Sequence, residues 1–311
     1  MAKNPNKIVA KKVVSDYVLD TIFTVTIILV FVLTLYPFLN SLAISLNDAD
    51  DTLRGGITIY PRVFSLRNYE LVFTNPKIWR AYFITISRTV IGTVGGLLIT
   101  GGMGFAMSRT TLVARKFYVI FCLIPMYIGG GLVPTYFVMR ELGLLDSFWV
   151  YIIPALVNLW NMILLRSNFA AQPEALEESA RIDGANYITI FFKIYWPIST
   201  PIIATIALYF GVQHWNSWYD ASVYVSSQEL KPMQTVLMSI VNEAKFAEQM
   251  AAASGGAADV GAIANMAKGK SVNVRSITMA TMIITIIPVL IVYPFLMRYF
   301  VKGIMVGSVK G

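Results

Sequence analysis

Six stretches of this sequence run for at least 19 residues without Asp, Glu, Lys or Arg: Thr21–Asn47, Thr89–Ser108, Phe117–Met139, Ser147–Leu165, Ile194–Tyr219 and Ser276–Met297. A helix needs roughly 20 apolar residues to cross a hydrocarbon core of about 30 Å, and the next longest such run has only 11 residues. The simplest reading is an all-α polytopic membrane protein with six transmembrane helices. Composition agrees, since 14% of the residues are charged against about a quarter in a soluble domain. The second span has to begin before its charge-free run, near Tyr82, which places Arg88 inside it. An arginine there is costly unless it snorkels or faces water, and the reading favours a snorkelling anchor near the outer face over a pathway residue.

An even span count puts both termini on one side. The tail 1–20 opens with four lysines in MAKNPNKIVAKK, the connection between spans 2 and 3 holds Arg109, Arg115 and Lys116 without an acid, and the tail 301–311 contains Lys302 and Lys310. Basic short segments mark the cytoplasmic side, so both termini are expected there, in a bacterial cell membrane. The net charge of +8 then reflects topology and anionic lipid, with no call for nucleic acid. Outside lie 48–80, the short turn RELGLLD, and a long loop, 221–275, whose Gly, Ala and Ser content reads as flexible. The first apolar run is too long for a signal-peptide core of 7–15 residues and reads as a span. The membrane domain is expected over 21–300.

Prolines punctuate the spans at Pro37, Pro125, Pro134, Pro154, Pro201, Pro288 and Pro294. Each frees a backbone carbonyl that neighbours must satisfy. In the second span GTVGGLLITGGMG supplies small residues for close helix approach. Catalytic signatures are missing: the chain has one histidine, His214, one cysteine, Cys122, and neither H-E-x-x-H nor G-x-S-x-G. KGKS at Lys268–Ser271 lacks the first glycine of a phosphate loop, because Ala264 stands there. The sequence therefore predicts no catalytic residues and no metal.

The segment 167–197 would then face the cytoplasm, and within it EALEESARIDGAN, Glu174–Asn186, is the most polar insert. Pro173 suits a first helical turn, and Glu174, Glu177 and Glu178 follow where the helix dipole favours negative charge. The first helix should end near Ile182. Asp183 and Gly184 would provide a cap acceptor and a joint, and a second helix would begin at Ala185, with Tyr187, Ile190, Phe191 and Ile194 at helical spacing up to Pro197. Such a pair either transmits force from a cytoplasmic motor or lies on lipid headgroups.

This insert resembles the EAA motif of ABC importer permeases, E-A-A-x3-G-x9-I-x-L-P, on Glu178, Ser179, Ala180, Gly184, Ile194, Trp196 and Pro197. Ser179 replaces the first alanine and Trp196 the leucine. YPRVFSLRNYELVF, WNSWYDASVYVSSQELKPMQTVL and FVKGIMVGSVKG extend the resemblance to the second permease of maltose-type carbohydrate importers, in the branch for complex, including uronate-containing, oligosaccharides. It implies a type I ABC importer permease fold, with the coupling helices between spans 4 and 5. It also implies a heterodimer with a second permease, two cytoplasmic ABC ATPase subunits and an extracytoplasmic solute-binding protein. No cofactor would bind this chain; ATP and Mg would sit on the partner ATPase. Glu178 would pair with a basic group there. Gly184 would set the angle between the helices, and Ala180, with Tyr187 or Phe191, would fill the ATPase groove; Ser179, Asp183 and Pro197 complete the coupling set. Gly307, Lys310 and Gly311 would lie along the ATPase dimer. Asn158, Trp160, Asn161, Trp215, Asn216, Tyr219 and Asp220 have the chemistry of a sugar path or of interface belts and interhelical hydrogen bonds. The alternatives are a permease for a non-sugar solute and, further off, a membrane-embedded enzyme.

Overall fold

A computed structural model describes residues 14–253 and 273–308. Among the described residues the regular structure is helical, with one isolated bridge between Asn47 and Phe64. They fall into two compact units, one within Met1–Glu70 and Val260–Ile283, the other within Leu71–Asp259 and Ile284–Gly311.

In the first unit α1 (Val14–Ser45) presents apolar side chains on every side over most of its length, and α2 (Ala49–Leu53) follows. The segment after α1 is organised by two buried asparagines. Asn47 donates to Asp51 and Thr52 at 3.0 Å and accepts from the Val63 amide at 2.9 Å. Asn68 donates to the carbonyls of Ser45 and Asn47. α3 (Arg67–Phe73) closes this segment.

The second unit is built around α4 (Pro76–Ser108), capped by Asn75, which accepts from the Lys77 amide, with Pro76 in the first turn. α5 (Arg115–Tyr127), α6 (Leu132–Glu141) and α7 (Leu159–Ala170) follow, then the short α8 (Glu174–Ile182), α9 (Tyr187–Ile190) and α10 (Trp196–Ile198), and then α11 (Thr200–Asn216). α4 packs along both α7 and α11, and its glycines explain how. A Cβ at Gly92 would fall 2.2 Å from His214 Nε2, and one at Gly96 would fall 2.7 Å from the Phe210 ring. A Cβ at Gly104 would fall 3.1 Å from the Met162 carbonyl oxygen, against the backbone of α7. Close helix approach is thus the work of these residues. Gly92→Ala should force His214 aside and cost about 1–3 kcal/mol through overpacking. Thermal unfolding of the detergent-solubilised chain checks this, and an unchanged midpoint would contradict it.

Among the described residues three continuous helices are long and apolar enough to cross a membrane: Tyr17–Ser45, Pro76–Ser108 and Val274–Pro294. The count reaches six if each of three bent pairs is one crossing. The third expected span is broken: α5 and α6 meet at 119°, where Gly129, Gly130 and Gly131 interrupt the helix and Gly131 adopts φ +79°. The fourth bends by 43° ahead of α7, whose cap Asn158 accepts from the Asn161 amide. In the fifth the helical stretch Tyr187–Ile198 turns 90° into α11 at Ser199, so Pro197 lies inside the first of these two pieces rather than ending it. The outer loop expected to be flexible is in good part helical, with α12 (Tyr219–Tyr224) and α13 (Met233–Ala253). Its stretch 254–272 lies outside the described residues. The last helix is α14 (Val274–Ser308), with Pro288 and Pro294 inside it.

Arg88 corrects its sequence reading. It is 0% exposed, so it neither snorkels nor lines a path. Its Nε donates to the His214 carbonyl at 2.7 Å and its Nη2 to the Ser217 carbonyl at 2.9 Å, while Nη1 lies 3.5 Å from the Asp220 carboxylate. The guanidinium thus holds the C-terminal end of α11, where free carbonyls favour a cation.

Candidate functional site: the charged helix pair

α8 spans Glu174–Ile182, with Glu174 and Glu177 in its first turn and Arg181 in its last. It ends in a Schellman motif: the Gly184 amide donates to the Arg181 carbonyl at 3.0 Å and the Ala185 amide to the Ala180 carbonyl at 2.9 Å. Gly184 has φ +78°, where an L side chain is strained, although the space around it is open. The second helix begins two residues later than the sequence suggested, at Tyr187 instead of Ala185. Asn186, not Asp183, is its cap and accepts from the Thr189 amide at 2.8 Å, so α9 starts at Tyr187. One π-turn, Phe191–Tyr195, then leads into α10. It brings both Phe191 and Tyr195 into a core with Phe105, Phe169, Ile190 and Phe210.

Arg109 is the hub of this end of the unit. It directly follows α4 and is 7% exposed. Its Nη1 donates to the Glu177 carboxylate and, at 2.6 Å, to the Tyr195 hydroxyl; Nη2 donates to the Phe169 carbonyl at 2.9 Å. The guanidinium also lies over the Tyr195 ring, 4.4 Å from its centroid. Glu177, 9% exposed, takes a second bond from Arg181 Nη2 at 2.7 Å. Arg181 in turn donates to the Tyr187 hydroxyl and covers that ring at 4.5 Å. Burial works against the Arg181 charge, but Tyr187 and Glu177 outweigh it and hold its pKa above the ordinary value.

Of the residues singled out from the sequence, Glu178, Ser179, Asp183, Gly184, Tyr187 and Pro197 reach the surface. Ala180 and Phe191 are buried in this chain's own core, so neither is a free surface. The most exposed apolar groups of the helix pair are Ile182, 86% exposed, and Ile188, 69% exposed, flanking the Gly184 joint. The sequence reading assigns neither a site role, and it marks Glu177 only as a first-turn acid and Arg109 only as a basic residue of a short connection. The signal was present: an acid-free basic connection, Arg109–Lys116, answers an acid-rich insert. Gly307 falls within the last turn of α14, and Lys310 and Gly311 lie outside the described residues.

The sugar-path residues are not gathered into one polar cleft. Asn158 spends its side chain on the α7 cap, Asn161 is buried, and Asp220 faces Arg88 and accepts from the Ala221 amide. Trp160 and Tyr219 are exposed. Trp215 and Asn216 border a cavity of about 520 Å³ between α4, α11 and α14, lined mainly by Val, Ile, Leu and Pro side chains.

Apolar helices tightly packed on a glycine-bearing centre, with a capped amphipathic pair pinned to their ends, are the build of a multi-pass membrane protein. No family model matches the sequence. The chain is 35% identical over 275 residues to the polygalacturonan/rhamnogalacturonan transport system permease protein YtcP of Bacillus subtilis (strain 168), covering 88% of this chain and 92% of that protein. It is 25% identical over 299 residues to the arabinooligosaccharides transport system permease protein AraQ of Halalkalibacterium halodurans, 94% of this chain and 98% of the relative. Among solved structures, a chain from a bacterial ABC transporter involved in the import of the acidic polysaccharide alginate matches with a TM-score of 0.83 at 27% identity, covering 93% of this chain and 99% of that one. The chain belongs to the permease family of ABC sugar-transport systems.

Proposed function

We propose that this chain is a transmembrane permease subunit of an ATP-driven oligosaccharide importer, and that uronate-containing oligosaccharides are its substrate class. It forms the translocation path with a second permease. Two cytoplasmic ABC ATPase subunits grip the helix pair, and an extracytoplasmic binding protein delivers the sugar. Both termini face the cytoplasm. The observation that carries this reading is the surface made by Glu178, Ser179, Ile182, Asp183, Gly184 and Ile188. It joins exposed apolar groups to a carboxylate on a rigidly capped turn, which suits docking into a groove on a folded partner. A helix pair that merely lay on headgroups would present mainly basic residues, whereas the exposed charges here are acidic in balance, Glu174, Glu178 and Asp183 against Arg181 and Lys193. The substrate class is supported by two of the proteins this chain resembles, a polygalacturonan/rhamnogalacturonan permease and a chain of an alginate importer, since both polymers are acidic polysaccharides.

The test is uptake of labelled oligogalacturonides by cells with and without this chain, beside a neutral arabino-oligosaccharide. Loss of the acidic sugar's uptake alone supports the reading. Unchanged uptake of both would overturn it. The tail contact proposed for Gly307, Lys310 and Gly311 is checked by deleting 306–311, which should lower transport-linked ATP hydrolysis; full coupling would remove the tail from the scheme.

Gly184 gives a sharper expectation. Its surroundings within the chain are open, and two replacements that both add a side chain to the surface are separated by what each tolerates at this φ. Gly184→Val should strain the turn by about 1–2 kcal/mol and reduce uptake several-fold, while Gly184→Asn, which tolerates this region, retains most of it. Equal uptake by the two variants would contradict the backbone argument.

A further inference from the structure

We propose that the buried Arg109–Glu177 pair is a positioning strut that makes α4 move with α8, so that force applied to the helix pair reaches the membrane helices. The inference rests on the proposed docking of α8 to an ATPase, and it concerns residues inside the chain.

α8 by itself is a poor lever. Only two of its nine residues, Glu177 and Ala180, are buried. It is bounded by Pro173 on one side and by Gly184, at φ +78°, on the other, so a pull on its exposed face would be absorbed at those two joints. Ala180 offers a single methyl group to the core. What fixes α8 is Glu177. One carboxylate oxygen meets Arg109 and the other meets Arg181. Arg109 reaches three other segments from the same guanidinium, through the Tyr195 hydroxyl, the Phe169 carbonyl and the Ser108 hydroxyl at 3.0 Å. Those bonds tie α8, the π-turn and the end of α7 to the last residue of α4.

Buried ion pairs are weak devices for stability, because desolvation consumes most of the Coulombic gain. A directional guanidinium fork instead fixes relative position. α4 is suited to carry the displacement onward. Its glycines hold it in close contact with α7 and α11. Arg88, 21 residues earlier and so about 31 Å away along the helix, holds the far end of α11 through the His214 and Ser217 carbonyls. Two arginines thus fasten one rod at points about a hydrocarbon thickness apart.

The experiment uses the whole importer, reconstituted with its ATPase and binding protein, and reads two quantities: sugar moved per ATP hydrolysed, and co-purification of the ATPase. Glu177→Gln and Arg109→Lys should both keep the ATPase bound while the transport-to-hydrolysis ratio falls about tenfold, the factor expected from losing one charge-assisted hydrogen bond. The double variant should be no worse than the singles, since both remove one linkage. Tyr195→Phe, which leaves the ion pair in place, should lower the ratio by less and serves if a charge variant fails to accumulate. A wild-type ratio in assembled Glu177→Gln complexes, or in assembled Tyr195→Phe complexes if the charge variants are lost, overturns the strut and leaves the docking reading standing. A wild-type chain that never retains an ATPase overturns both.

Discussion

Replacing Arg88 with methionine is expected to remove most of the chain from the membrane fraction. The guanidinium is fully buried and spans the carbonyls of His214 and Ser217, the Asp220 carboxylate and the face of Tyr151, whose centroid is 4.9 Å away. Methionine would fill much of the volume but answer none of these groups. Removing one partner of a fully buried pair typically costs about 3–5 kcal/mol; Asp220 is a quarter exposed, which lowers its share, while the two carbonyls lose their buried donors as well. Native proteins have about 5–15 kcal/mol in total, so the loss is large enough to expose the chain to proteolysis. Arg88→Lys should fall between, keeping the charge and losing the fork. Adding Asp220→Asn to Arg88→Met should recover part of the loss by neutralising the stranded carboxylate. Immunoblots of membranes and thermal unfolding of the purified variants measure this. Wild-type abundance and midpoint for Arg88→Met would show that the cluster does not hold α11 to α4.

The second large effect is functional and leaves the fold intact. Ile182 is 86% exposed and touches little within the chain, so Ile182→Asp should not alter accumulation. At the centre of a partner interface a buried aliphatic anchor replaced by a charge commonly costs 2 kcal/mol or more, roughly a thirtyfold loss of affinity. Uptake and sugar-stimulated ATP hydrolysis should therefore fall to background in Ile182→Asp, and Glu178→Arg should add to the defect. Normal uptake by the first variant, at normal abundance, would place the partner contact elsewhere.

The boundaries of α8 were legible because they are set locally: Pro173 before it, acids in its first turn and Gly184 after it are all neighbours in sequence. The close packing of α4 could be read from its glycines for the same reason. Contacts distant in sequence could not. Arg109 and Glu177 are 68 positions apart, and read singly each is an ordinary charge on a cytoplasmic loop. Burial of Arg88 depends on Asp220 and on the end of α11, more than a hundred residues later. The 119° bend between α5 and α6 was written in three consecutive glycines, but hydropathy counts residues and ignores direction, so a broken pair and a straight span looked alike. α13 went unread because its Ala-rich C-terminal turns run on into a Gly/Ala stretch that suggested a flexible loop.

The helix pair around Gly184 is expected to face the cytoplasm, where an ATPase can hold it. Cys122 is the only cysteine and is buried, so Cys122→Ser leaves a clean background for a single cysteine at Asp183, an exposed position. A membrane-impermeant maleimide added to intact cells should leave that cysteine unlabelled and should label it after permeabilisation, with an assembled ATPase slowing the reaction. Rapid labelling from outside intact cells would contradict the account.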